Sequence, residues 1–134
     1  PVFIGAAGDD LAPFDAYRTV QGAPLEEIKN LLSGASLFVG NDSGPAHMAT
    51  TVGTPVLGLY AATNPERSGP YYSRPWCVDR YEAAAQRFRG CPAEQLPWTE
   101  KIEEPGVMDL ITPADVIERL DALMAAGAPR TPTG

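Results

Sequence analysis

The sequence is poor in the residues that build metal centres and disulfide frameworks. It has 2 cysteines, Cys77 and Cys91, and 1 histidine, His47. Neither cysteine belongs to a CxxC pair, and a single histidine cannot complete a Cys/His zinc set. We therefore predict no metal site. The cysteines are predicted to be reduced thiols of a cytosolic protein, with a loop-closing disulfide as the alternative.

The sequence also lacks a long hydrophobic run and an excess of positive charge. No apolar stretch approaches the ~20 residues that cross a bilayer, and the formal net charge is −7. Because binding to a phosphate backbone relies on patches of lysine and arginine, this acidic balance argues against nucleic acid as the main partner. The 134 residues, 44% hydrophobic and 20% charged, fit one globular domain that can bury a core without disulfides.

Short apolar runs alternate with helical patterns along the chain, and this alternation predicts an α/β fold. Strand, helix and strand joined by short connections form the βαβ unit of a parallel sheet, so we expect a Rossmann-like parallel sheet flanked by helices. Residues 80–106 are irregular in pattern. We predict a domain over residues 1–126 and a disordered tail over 127–134. Strands are expected at residues 2–4, 18–21, 37–39, 54–60 and 76–78, and helices from Pro24, Pro45 and Thr112.

The most informative segment follows the apolar run at residues 37–39. A tight polar turn contains Asp42, Ser43 and Gly44, and a helix with Pro45 in its first turn and His47 comes next. A helix N-terminus presents free N–H groups and a partial positive charge, so it suits a phosphate or another anion. The pattern is neither GxGxxG nor a P-loop, and Ser43 is not in a GxSxG nucleophile elbow.

Each of these residues also has a purely structural interpretation. Asp42 or Ser43 is a candidate N-cap of the helix, and only one of them can take that position. Gly44 either lets a ligand approach the backbone closely or permits a positive φ. His47 in isolation is more typical of a packing or surface residue. Their convergence on one helix start after a buried strand favours a binding site.

A second polar loop, over residues 61–75, leaves the next predicted strand. If the two strands are neighbours, both loops share one crevice at the carboxyl ends of the strands, where α/β sheets bind ligands. Arg67 is a candidate phosphate ligand or a solvated charge. Tyr71, Tyr72 and Trp76 are candidates for lining a sugar site or for packing the loop onto the sheet.

These residues together resemble the heptosyltransferases of glycosyltransferase family 9. The resemblance rests on FVGNDSGPAHMA at residues 38–49, GTPV at 53–56, AATNPER at 61–67 and GPY at 69–71. It is strongest over residues 34–71 and loose over 77–106. It implies the C-terminal half of a GT-B glycosyltransferase, a fold of two Rossmann-like domains facing a cleft. Members transfer heptose from ADP-heptose to the lipopolysaccharide core, inverting the anomeric centre and needing no metal and no cofactor.

By this resemblance, the turn after the second apolar strand binds the nucleotide sugar. Asp42 matches the family carboxylate near the heptose, and Ser43 and Gly44 match the hydroxyl residue and glycine at the diphosphate. His47 matches the histidine on the phosphate side, and Asn41 belongs to the same binding turn.

The nucleoside end of the donor is expected on the earlier part of the chain. The turn near Ala23, just before the Pro24 helix, would border the adenine. An acid of the segment at residues 8–10 would be placed to bind the ribose. Pro45 and Ala46 stand where the family often has bulkier or hydroxyl residues, so the fine donor specificity is open.

The chain begins at Pro1 rather than methionine, and we interpret it as a fragment or processed product. The resemblance aligns it with the second strand of the C-terminal domain. The acceptor domain and the acid expected to act there as general base are then absent. We therefore assign no catalytic residue and expect the fragment alone to be inactive.

This interpretation also leads to expectations about the acceptor, the location and the oligomeric state of the protein. The lipopolysaccharide core would bind through the absent domain, and the location would be cytoplasmic, including a peripheral position on the inner face of the inner membrane. An exposed sheet edge favours a homo-oligomer. The alternative functions are a noncatalytic nucleotide- or sugar-binding module of similar fold and, less favoured, a hydrolase using Ser43 and His47.

Overall fold

A computed structural model describes residues 1–69 and 73–127, and it confirms the α/β class. Every strand pairing is parallel, and helices flank the sheets, as the sequence predicted. The strands within the described residues are β1 (Val2–Gly5), β2 (Arg18–Gln21), β3 (Phe38–Asn41), β4 (Val56–Tyr60) and β5 (Val78–Asp79). The α-helices in the same part of the chain are α1 (Leu25–Ser33), α2 (Gly44–Thr51), α3 (Pro65–Ser68), α4 (Tyr81–Arg89) and α5 (Pro113–Ala125).

The strands form two sheets rather than the one that the sequence predicted. β1 pairs with β2, whereas β3, β4 and β5 form a second sheet with β4 at its centre. An apolar cavity of about 710 Å³ is lined by β1, β3 and the end of α1. Val2 and Val39, one on each of these strands, stay 39% and 45% exposed. Apolar runs predict that strands exist but not which edges pair, and for this reason the division was not foreseen.

Two apolar clusters hold the elements together. The first joins α1, α2 and β4 through Ile28, Leu32, Ala49 and Val56. The second packs α4 against later loops, and its buried members are Ala61, Tyr81, Ala84, Ala85, Ile102 and Val107. The first cluster packs the middle of α2 against α1 and β4, and the second packs α4 against the loop that begins at Ala61.

The later part of the chain is more ordered than its sequence pattern indicated. Residues 80–106 were expected to be irregular, but they contain α4, which ends at Gly90 with a left-handed φ of 70°. The expected strand at residues 76–78 is displaced because Arg74–Trp76 forms a 3-10 turn. The loop over 61–75 contains α3. Apart from Gly127, the predicted tail lies outside the described residues.

The two cysteines are free thiols, which confirms the favoured prediction. Cys77 is buried next to β5, and this burial raises the pKa of its thiol. A thiol of raised pKa is a poor nucleophile, so Cys77 is a packing residue. The described helices are all too short or too polar to span a membrane.

Candidate functional site

The pairing of β3 with β4 brings the two predicted loops together. Gly40 and Gly58 lie opposite each other in the register of this parallel pair. The turn at residues 41–43 and the loop at residues 61–68 therefore leave the sheet at the same edge, as the shared-crevice prediction required. α2 begins directly after the turn and has a proline in its first turn.

Asp42 joins the two loops by hydrogen bonds. The Ser68 hydroxyl donates to Asp42 Oδ2 over 2.7 Å, and His47 Nε2 lies 3.0 Å from Asp42 Oδ1. Thr63 also hydrogen bonds to this carboxylate. The Asp42 side chain is 17% exposed, whereas that of His47 is 56% exposed. Asp42 is thus a largely enclosed carboxylate at the meeting point of both loops, and it is not the N-cap.

The environment of Asp42 favours its charged form. Burial acts to raise the pKa of this carboxyl, but hydrogen bonds from Ser68, Thr63 and His47 outweigh it and hold the pKa below its ordinary value. Hydrogen bonds to the charged form stabilise that form. Asp42 is therefore ionised near neutral pH, where it can accept hydrogen bonds but is a weak proton acceptor.

Neither a cap bond from Ser43 nor backbone strain at Gly44 accounts for the start of α2. Ser43 occupies the N-cap position, but its hydroxyl makes no hydrogen bond to the helix. Gly44 has no positive φ, and a Cβ placed there would meet no atom within 4 Å. The first N–H groups of a helix have no acceptor within it, so the Gly44 N–H has no partner from α2, whereas Pro45 has no N–H and the His47 N–H donates to the Ser43 carbonyl over 3.2 Å. Backbone strain therefore does not explain the glycine, and the open space at its Cα would admit a ligand close to the backbone.

Two clefts lie on either side of this helix start. The first, which we call cleft A, has a volume of about 480 Å³. It contains five of the six predicted binding residues, all except Ala23, and also Arg67. Its lining is Asn41, Asp42, Ser43, Gly44, His47, Leu59, Ala62, Thr63, Arg67, Ser68, Lys101, Glu103 and Met108.

The second cleft, which we call cleft B, has a volume of about 500 Å³ and lies at the ends of β1 and β2. Ala23, the sixth predicted residue, lines it together with Asn41 and Ser43. Asp9 lines it too, although its Oδ2 already accepts from the Ala6 N–H at 2.7 Å. Asn41 and Ser43 border both clefts, so the two spaces meet at the N-terminus of α2.

Of the three aromatic residues considered for a sugar site, only Trp76 lies within the described residues. Tyr71 and Tyr72 lie outside the described residues. Trp76 lies in the 3-10 turn Arg74–Trp76 and lines neither cleft A nor cleft B. Of the two alternatives for Trp76, the structure therefore does not support the one in which it lines a sugar site. Among residues 1–69 and 73–127, no group of three or more histidine, cysteine or acidic side chains could hold a metal ion.

Sequence reasoning missed Lys101 and Glu103, which both line cleft A. They belong to a segment without helix or strand, far along the chain from the binding turn. Thr63 and Ser68 were inside the predicted loop but were not singled out. A single sequence carries no signal for Lys101, since its position depends on contacts made by residues of α4.

Comparison with known proteins relates the chain to one family. The profile of glycosyltransferase family 9 (heptosyltransferase) matches residues 20–97, more than half of the chain. The lipopolysaccharide core heptosyltransferase OpsX of Haemophilus influenzae is 42% identical over 99 residues, or 74% of this chain and 28% of OpsX. Lipopolysaccharide heptosyltransferase 3 of Escherichia coli is 32% identical over 105 residues, or 78% of this chain and 28% of that protein.

A second lipopolysaccharide heptosyltransferase 3, from Escherichia coli K12, is 29% identical over 135 residues. That alignment covers 93% of this chain and 37% of the relative, so the chain spans well under half the length of these proteins. No solved structure gives a significant match. The family profile covers the binding turn, α2 and the loop after β4, which supply most of cleft A. The chain therefore belongs to glycosyltransferase family 9, the heptosyltransferase family.

Proposed function

We propose that this chain is the nucleotide-sugar-binding part of a lipopolysaccharide heptosyltransferase, with ADP-heptose as donor. The observation that carries the proposal is the position of the α2 N-terminus between clefts A and B, which share Asn41 and Ser43. A nucleotide sugar matches this arrangement, because its anionic diphosphate lies between a sugar and a nucleoside, as the helix N-terminus lies between the two clefts. Helix N-termini bind such groups through N–H donors and the helix dipole.

The proposed roles follow the arrangement of the two clefts. Ser43 and Gly44 would contact the diphosphate, because they stand at the helix start where both clefts meet. Asp42 would accept hydrogen bonds from the heptose hydroxyls in cleft A, and His47 would contact the phosphate on the same side. Ala23 would border the adenine in cleft B.

The chemical contribution of this site is electrostatic. Donors placed around the diphosphate would stabilise the charge that develops as ADP leaves. The proposal includes inversion at the anomeric carbon, which requires a general base to take the proton from the acceptor hydroxyl. Asp42 is unsuited to that role because its lowered pKa makes it a weak proton acceptor. The proposal places the base and the lipopolysaccharide acceptor site outside these 134 residues.

Calorimetry with the 134-residue chain tests the donor assignment. We expect binding of ADP and ADP-heptose and weaker binding of UDP-sugars. Selective binding of UDP-sugars would contradict the ADP assignment. We also expect no heptose transfer by this chain when lipopolysaccharide core is supplied, and detectable transfer would show that the base lies within it. A noncatalytic module is the alternative, and it predicts donor binding without transfer by the longer protein as well.

Location and self-association are further parts of the proposal. The donor and acceptor chemistry fits a cytoplasmic protein at the inner face of the inner membrane.

In the isolated chain, we propose that a second copy covers the exposed edge at Val2 and Val39. Sedimentation would detect this, with Val39→Lys reducing self-association and the exposed Ile117→Lys on α5 as the control. Equal sedimentation of all three proteins would contradict it.

A further inference from the structure

The segment at residues 100–104 is held in place although it forms neither a helix nor a strand. Its central residue, Ile102, is fully buried in the cluster that α4 forms with the later loops. The Ile102 N–H donates to the Ala62 carbonyl over 2.8 Å. Ala62 itself lines cleft A, so this bond fixes the segment beside the cleft.

Arg89, near the end of α4, clamps the same segment from the other side. Its Nε donates to Glu100 Oε1 at 2.9 Å, and its Nη1 donates to Glu104 Oε1. Its Nη2 donates to the Lys101 carbonyl at 3.3 Å. The Tyr81 hydroxyl adds a bond to the Glu100 carbonyl at 3.1 Å. The backbone around Lys101 is therefore fixed on both sides, and this distinguishes it from an ordinary solvated loop.

Lys101 brings a positive charge to a cleft that also contains carboxylates. Cleft A is lined by Arg67 and Lys101, and by Asp42 and Glu103. Lys101 forms no ion pair with any described residue, whereas Asp42 is already hydrogen bonded to Ser68 and His47. A diphosphate entering this cleft needs cations to offset its own charge and that of the carboxylates. An ammonium on a flexible stem can supply one.

We propose that Lys101 is a binding residue for the diphosphate of the nucleotide sugar, and that Arg89 positions it over cleft A. The inference rests on the proposed function. The family profile matches residues 20–97, so Arg89 lies within the matched region and Lys101 lies beyond it. Arg89 touches no ligand in this scheme, and it acts by holding the Lys101 backbone.

The sequence offers a matched control, because Lys29 and Lys101 are its 2 lysines. Lys29 lies on α1, is exposed and lines neither cleft. ADP and adenosine binding would be measured by calorimetry for the wild type, Lys101→Gln and Lys29→Gln. We expect Lys101→Gln to weaken ADP binding by about tenfold, as loss of a charge-assisted contact implies. Adenosine binding should be unchanged, and Lys29→Gln should match the wild type.

A labelling experiment on the unmodified chain avoids any effect of substitution on folding. An amine-reactive reagent would be applied with and without ADP, and both lysine-containing peptides would be quantified. We expect ADP to protect Lys101 and not Lys29. Equal ADP binding by Lys101→Gln and the wild type, or no protection of Lys101 by ADP that does bind, would overturn the inference and leave the proposed function standing. Failure of the wild type to bind ADP would overturn both.

Discussion

The hydroxyl of Ser68 donates to Asp42 Oδ2 over 2.7 Å and so joins the loop after β4 to the turn after β3. The two residues are 26 positions apart in sequence and belong to different loops of the same sheet edge. This bond explains why Asp42, rather than capping α2, turns towards the neighbouring loop. It also makes the start of α2 and the position of α3 dependent on each other.

Removal of the Ser68 hydroxyl is predicted to destabilise the fold and to free one oxygen of Asp42. Hydrogen bonds to charged groups contribute about 1.5–3 kcal/mol, so Ser68→Ala should lower the free energy of unfolding by about that amount. Urea unfolding followed by circular dichroism would measure it. The exposed Ser36→Ala is the control and should change stability little. Equal effects of the two substitutions would contradict the importance of the Ser68–Asp42 bond.

Asp42 is also predicted to make stability depend on pH. Its folded-state pKa is lowered, so its contribution is present above the unfolded-state pKa of about 4 and is lost as pH falls through the folded-state pKa. The difference in unfolding free energy between the wild type and Asp42→Asn should therefore shrink from about pH 6 to about pH 3. Urea melts of both proteins across this range would test it. A difference that stays constant with pH would show that the charge of Asp42 does not stabilise the fold.

The start of α5 provides a prediction that is independent of the site. Thr112 Oγ1 accepts from the Asp115 N–H at 3.2 Å, and Asp115 Oδ2 accepts from the Thr112 N–H at 3.0 Å, so the two residues form a capping box. Thr112→Ala should cost about 1 kcal/mol of stability. Chemical unfolding would measure the loss, and the exposed Thr99→Ala should show little change. ADP binding should be the same in both variants, because neither residue lines cleft A or cleft B.

The structural features that could be predicted are those that depend on residues close together in the sequence. The box at Thr112 and the strand–turn–helix around Asp42 depend on residues within a few positions of each other, so their patterns are visible in one sequence. α4 has a less regular signal, because the side chain that accepts from its first N–H is Asp79, one position before the N-cap. Its N-cap position is occupied by Arg80, which makes no side-chain cap bond, and alanines fill much of its buried face. Gly90 after Arg89 was the available sign of a helix end.

Features that depend on distant contacts could not be predicted. The division into two sheets depends on which strand edges pair, and the apolar sequence of a strand does not indicate its pairing partner. The place of Lys101 in cleft A depends on Arg89 and on the burial of Ile102. These contacts form only when α4 packs against the loop. A cleft residue supplied in this way has no motif, and for this reason Lys101 was missed while Asp42 was predicted to lie in the cleft.

Substitution of Gly44 is predicted to change ADP binding without lowering the stability of the fold. Its φ is not positive, and a Cβ there would meet no atom within 4 Å. Gly44→Ala should therefore leave stability unchanged or slightly raised, because alanine is favoured over glycine in helices. In the proposed function, the added methyl group would occupy space through which the diphosphate approaches the helix N-terminus. We expect ADP binding to weaken by about tenfold or more, an effect of steric exclusion.

Gly90→Ala is the matched control for this substitution. Gly90 also has open space around its Cα, but its φ is 70°, which is unfavourable for a residue with a side chain. We expect it to lose about 1 kcal/mol of stability and to keep full ADP affinity, the reverse of Gly44→Ala. Calorimetry and urea unfolding of both variants would give the two pairs of values. If Gly44→Ala binds ADP as tightly as the wild type, the diphosphate does not approach the start of α2 and the proposed donor site is wrong.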